Sequence, residues 1–119
     1  MPIESNTKLG NIQISKEAIA ALTGGIVSEC YGVVGMASQK FLKDGLAELL
    51  KKENYGRGIV VKQVAGGIQL DLYIVVSYGV RISQVTTEIQ SRVKYELERY
   101  LDEKLTAVNV FVQGIRVMS

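Results

Sequence analysis

Val108-Asn109-Val110-Phe111-Val112-Gln113-Gly114-Ile115 alternates with period two and so reads as a strand, with Val108, Val110 and Val112 on one face and Asn109, Phe111 and Gln113 on the other. Gly114 interrupts the alternation and marks a bulge. Upstream, Val85, Ile89, Val93, Leu97 and Leu101 repeat at helical spacing within residues 83–105, behind Ser83 as a capping residue. The opposite helix face carries Glu88, Arg92, Lys94, Glu98, Arg99 and Glu103. Glu88 with Arg92 and Arg99 with Glu103 have the spacing of surface ion pairs, each worth about 0.2–0.5 kcal/mol. A long amphipathic helix that delivers the chain into such a strand is the closing unit of a sheet covered by helices.

Ahead of that helix, residues 59–65 and 68–77 read as two strands joined at Gly66-Gly67, a dipeptide that accepts positive φ in a tight hairpin. Ile68, Leu70, Leu72, Ile74 and Val76 share one face, and Gln69, Asp71, Tyr73, Val75 and Ser77 the other. Asp71 therefore reads as an exposed carboxylate. Nearer the N-terminus, a short strand over 11–14 ends in Ser15, which can cap a helix over 16–29 with Glu17 in its first turn and Ile19, Leu22, Ile26 and Cys30 turned inward. Gly24-Gly25 costs that helix about 1 kcal/mol per glycine relative to alanine, which points to close packing against another backbone or to a kink. Tyr31-Gly32-Val33-Val34-Gly35-Met36 breaks the helix. A second, shorter one opens at Ser38 or Gln39, turns Phe41, Leu42, Leu46, Leu49 and Leu50 inward, and ends in a turn at 54–58.

The resulting order, βααββαβ, is an α+β fold: a mixed β-sheet with helices packed on one face. Its size and its 47% apolar composition suit one core, so residues 10–119 read as a single domain behind a flexible tail at 1–9. The outer sheet face would present Tyr73, Val75 and Phe111, the kind of apolar group that marks a contact surface.

Composition removes several classes of chemistry. Fourteen Lys and Arg residues against 12 Asp and Glu leave a charge of +2, too weak a field to imply nucleic acid. Without His, a Ser or Cys nucleophile lacks its usual base, and the lone Cys30 supports neither a disulfide nor a zinc site. The carboxylates do not converge in a loop, and the glycines lack the spacing of a phosphate-binding motif. No catalytic, cofactor or metal residues are expected. Residues 18–28 are uncharged but too few to span a bilayer, so no transmembrane segment is expected and a reducing cytoplasm fits best. Gly32-Val33-Val34-Gly35, placed between two helices, has the form of the GXXG loop of the KH nucleic-acid-binding domain, although its middle residues are valines without a basic neighbour.

Gly10-Asn11-Ile12-Gln13-Ile14-Ser15, Tyr31-Gly32-Val33-Val34-Gly35-Met36, Asp71-Leu72-Tyr73-Ile74-Val75-Val76 with Tyr78-Gly79, Glu88-Ile89-Gln90 with Val93, and the stretch from Val108 to Ile115 follow one another in a specific order. In that order they resemble the motifs of the alkaline-shock, or envelope stress response, family of Gram-positive bacteria, also called YloU-like. Tyr31 stands where the family commonly has proline. The resemblance implies a small cytoplasmic protein without known catalysis, held near the membrane in some members by a membrane-anchored partner. Other members are linked to lipid metabolism. The function expected is thus a non-enzymatic scaffold module that forms a homo-oligomer and docks on a protein partner at the cytoplasmic side of the membrane. A regulatory subunit for an enzyme of fatty-acid or acyl metabolism is the alternative, and a KH-like nucleic-acid binder the second. Contacts are expected at Tyr31, Val33, Val34 and Met36, at the break after the first helix, and at Tyr73, Val75 and Phe111.

Overall fold

The computed structural model describes residues 3–7, 9–41, 47–50, 58–101 and 104–117. Along the chain run β1 (Ile3–Thr7), β2 (Gly10–Ile14), α1 (Lys16–Ser28), β3 (Val33–Phe41), β4 (Ala47–Leu49), β5 (Ile59–Val64), β6 (Gly67–Ser77), α2 (Ile82–Leu101) and β7 (Leu105–Arg116). The class is α+β, with a mixed sheet and both helices against one of its faces.

β6 is the axis of the sheet. Parallel β7 covers one of its edges along residues 68–77, and the crossover that a parallel pair needs is α2. The other edge is shared end to end, with antiparallel β5 along residues 67–72 and antiparallel β3 along 74–76. β4 continues from β3, and β1 with β2 makes a separate antiparallel pair. Pairing of Val64 with Gly67 puts the hairpin turn at Ala65-Gly66, where Gly66 takes φ +90°. Gly67, at φ +152°, has no room for a side chain, because a Cβ there would run into the backbone carbonyl of Lys104.

The core lies between the helices and the even-numbered residues of β6, with Leu70, Leu72, Ile74 and Val76 wholly buried. Val85, Ile89, Val93, Leu97 and Leu101 of α2 cover them as their spacing requires, and each such side chain contributes about 1.5–3 kcal/mol on burial. α1 adds Ile19, Ala20, Ile26 and Val27. Its cap is Ser15, whose Oγ accepts from the Ala18 amide at 3.0 Å. Thr23 is buried without cost to its hydroxyl, which donates to the Ile19 carbonyl at 2.8 Å. Of the two helix glycines, Gly24 is buried, as close packing demands, whereas Gly25 is exposed and a Cβ on it would meet nothing within 4 Å.

The order departs from the sequence reading in two places. Residues 33–41 form β3, and the short helix expected to open at Ser38 or Gln39 is not there; where it would have run through Leu49 the chain forms β4, and its stretches over 42–46 and 51–57 lie outside the described residues. Side-chain spacing suggests that helix, and pairing of β3 with β4 and β6 overrides it. Over 33–36 a register shift between Val33 and Gly35 places Val33 and Met36, three apart, on the core side of one strand and so hides the strand alternation. Residues 3–7, read as part of a tail, pair with β2 from Ile3 opposite Ile14 to Thr7 opposite Gly10.

Candidate interaction surface

The face of β6 turned away from the helices carries Gln69, Asp71, Tyr73 and Val75, and parallel pairing brings Asn109 beside Asp71 and Phe111 beside Tyr73. The two rings stack with centroids 5.0 Å apart and planes 16° from parallel. Phe111 still leaves 42% of its surface in solvent. An aromatic held flat against its neighbour and open on its other side is a preformed contact element with little rotamer entropy left to lose.

Beside the rings lies a polar cluster that sequence reasoning missed. Asp71 is buried, not exposed. Its Oδ2 lies 3.1 Å from Lys62 Nζ, and its Oδ1 accepts from Asn109 Nδ2 at 2.9 Å and from Gln69 Nε2 at 3.4 Å. Burial by itself would push the Asp71 carboxyl up, but the bonds from Asn109, Lys62 and Gln69 outweigh it and hold the group below the usual carboxylate range. Lys62 comes from β5 and Asn109 from β7, so the alternation of β6 alone could not have revealed them, while Gln69 is its neighbour on the same face of β6. The cluster ties three strands together through one side chain.

The expected contact residues divide sharply. Tyr31 is 77% exposed, and Val33 and Val34 are partly covered. Met36, by contrast, is entirely buried in the main core, and Val75 is buried against Ala37 and Val34 on the outer face, so neither offers surface to a partner. Gly32-Val33-Val34-Gly35 is not a loop between two helices. Gly32 turns the corner at φ +86°, its carbonyl accepts from the Ser77 amide at 2.9 Å, and a Cβ on it would sit 2.8 Å from Val85 Cγ2. Gly35 is already paired with Val75 within β3. The motif is a packed corner whose glycine makes room for α2.

Elsewhere the polar groups serve the framework. Arg92 does not pair with Glu88; it reaches Glu29 Oε2 at 2.8 Å and Glu96 Oε2 at 3.3 Å, joining α2 to the end of α1. Its Nη1 also donates to the Glu29 carbonyl at the C-terminus of α1, where the helix has no basic residue of its own. Arg99 lies over the Tyr95 ring at 5.5 Å, and its expected partner Glu103 lies outside the described residues. Cys30 is a core residue: burial pushes its thiol up, against the opposing pull of Arg92, and its Sγ lies 3.6 Å from the Ile26 carbonyl. A cavity of about 220 Å³ is lined by Tyr31, Arg81, Gln84, Val85 and Glu88, and another of about 160 Å³ by Gln90, Lys94 and residues 105–108. Both fall below the roughly 300 Å³ at which small-molecule sites begin. Among the described residues no three His, Cys, Asp or Glu side chains converge on a metal position, and no helix is long and apolar enough to cross a membrane.

These features define a small α+β domain whose most distinctive surface is an aromatic strip on the open face of its sheet. Residues 4–117 match the alkaline-shock protein 23 family, described as having a cell envelope-related function, and the chain belongs to that family. It is 49% identical over 117 residues to the uncharacterized protein YloU of Bacillus subtilis, covering 98% of each chain. The uncharacterized protein Spy1614 of Streptococcus pyogenes is 49% identical over 118 residues, 99% of this chain and 98% of that one. YqhY of Bacillus subtilis, also uncharacterized, is 31% identical over 111 residues, 93% of this chain and 81% of its own. No solved structure matches the chain.

Proposed function

We propose that this protein is a non-catalytic interaction module of the cell envelope, self-associating and docking on a protein partner at the cytoplasmic side of the membrane. The observation that carries the reading is the Tyr73 and Phe111 stack, fixed in place on the open sheet face with Phe111 exposed. Aromatic anchors of this kind dominate binding energy where proteins meet. Tyr31, exposed at the corner after α1, is a second anchor well apart in sequence, available to a different partner. The family's envelope-related description supports the setting.

The test is the double substitution Tyr73→Ser with Phe111→Ser. Both residues lie on the sheet face away from the main core, so the circular dichroism spectrum should keep its native form. Light scattering of the unaltered chain should give a mass that climbs with concentration above 13.0 kDa, and the variant should stay at the monomer mass. An oligomer of equal mass in both proteins would remove these rings from the contact.

A further inference from the structure

We propose that β7 is the edge on which a second copy of this chain docks, the two β7 strands pairing antiparallel about Phe111. The inference rests on the self-association proposed above and locates it. Among the described residues β7 pairs with β6 alone, so its other edge lies at the margin of the sheet. A margin of this kind offers unpaired backbone groups to another strand.

The bonds at the two ends of the β6 and β7 ladder reveal which groups those are. The Lys104 carbonyl accepts from the Ile68 amide at 3.1 Å, and the Arg116 carbonyl from the Tyr78 amide at 2.8 Å. Carried through the register and its two shifts, both bonds aim the carbonyls of Ala107, Asn109 and Phe111 toward β6 and those of Val108, Val110 and Val112 away from it. Gln90 Nε2 closes the Val108 carbonyl at 2.8 Å, which agrees with this assignment. At the far end, the shift that sets Val112 opposite Ile74 but Gly114 opposite Val75 ends the regular ladder at Gln113. The outward groups that stay regular and unpartnered among the described residues are those of Val110 and Val112. They bracket Phe111.

An antiparallel partner that bonds its Val112 to Val110, and its Val110 to Val112, places Phe111 opposite Phe111 as the closer, non-hydrogen-bonded pair. The sequence suits a copy of itself in this register. Asn109 falls opposite Gln113 on the outer face, and Val110 opposite Val112 on the core face. Residues 105–115 carry no charge, so this two-fold pairing sets no like charges against one another near the axis. β5, which flanks part of the opposite edge of β6, carries Lys62 instead. The exposed side of Phe111 then closes on its counterpart, and the Tyr73 and Phe111 stack becomes a ladder of rings across both sheets. A two-fold pairing of this kind uses the β7 edge of both chains, so the assembly closes at two copies.

Cysteine pairing in the full-length chain tests the register, with Cys30, only 5% exposed, as the internal background. Directly opposed residues of a non-hydrogen-bonded pair fall within disulfide reach. Under mild oxidation, the Asn109→Cys, Gln113→Cys double variant, which keeps Phe111, should run mostly at twice the 13.0 kDa chain mass on a non-reducing gel. Phe111→Cys should cross-link by itself, while Asn109→Cys or Gln113→Cys alone should leave at least tenfold less dimer. Cross-linking of either of these single variants to the level of the double would assign a different register. A dimer seen by light scattering whose double variant does not cross-link would overturn the β7 pairing and leave self-association standing. A monomeric mass at every concentration would overturn both.

Discussion

Gly32→Ala should destabilise the fold by about 2–5 kcal/mol, because two independent costs meet at that corner. The residue sits at φ +86°, where an L side chain costs roughly 1–2 kcal/mol. The new methyl would also lie 2.8 Å from Val85 Cγ2 and 3.4 Å from Val80 Cγ1, and overpacking of this kind costs about 1–3 kcal/mol. Val85 cannot swing aside into solvent, since it is buried on the inner face of α2. Urea unfolding followed by circular dichroism reads the effect directly; with a slope of about 1–3 kcal/mol per molar, the midpoint should fall by roughly 1–2 M at unchanged slope. A midpoint within about 0.3 M of the unaltered chain would refute the reasoning, because Gly32 would then have room for a side chain. The valine-lined GXXG motif would lose its explanation as a packed corner.

Gly25 gives the opposite sign within the neighbouring helix. It is exposed with open space around it, so Gly25→Ala should raise stability by about 0.5–1 kcal/mol, seen as a higher urea midpoint; a loss would mean that the glycine has a structural role. Asp71 makes the fold sensitive to acid. Its folded carboxyl is held below the ordinary value near 3.9, so its stabilisation is complete above that pH and disappears as pH falls through the lower folded value. Asp71→Asn should therefore cost about 1–2 kcal/mol at pH 7, allowing for the half-exposed Lys62, and progressively less below pH 4. Unfolding midpoints measured at both pH values check this, and a penalty independent of pH would contradict it.

The legible parts of the fold were those whose signals are local and regular. α2 could be read from apolar residues at helical spacing, β6 from strict alternation, and the hairpin from Gly66-Gly67, which the structure places one residue later than the turn itself. β3 was illegible because its register shift turns a period of two into a spacing of three, with Val33 and Met36 inside and Val34 and Ala37 together on the other face. The same holds for the contact surface. Tyr73 and Phe111 could be placed on one face by counting along each strand, but their stacking depends on parallel pairing across the α2 crossover. Asp71 looked exposed because its own neighbours alternate, while the groups that bind it come from other strands, Lys62 across the hairpin and Asn109 from β7, 38 residues on. Met36 and Val75 looked like surface for the same reason: their cover comes from other elements.

Sedimentation equilibrium of the full-length chain across a wide range of concentration tests most directly whether this protein works through its surfaces. The account predicts a weight-average mass that rises from 13.0 kDa toward twice that value and levels off there, fitted by a single monomer–dimer equilibrium. A mass that stays at 13.0 kDa up to the highest concentration reached would contradict it.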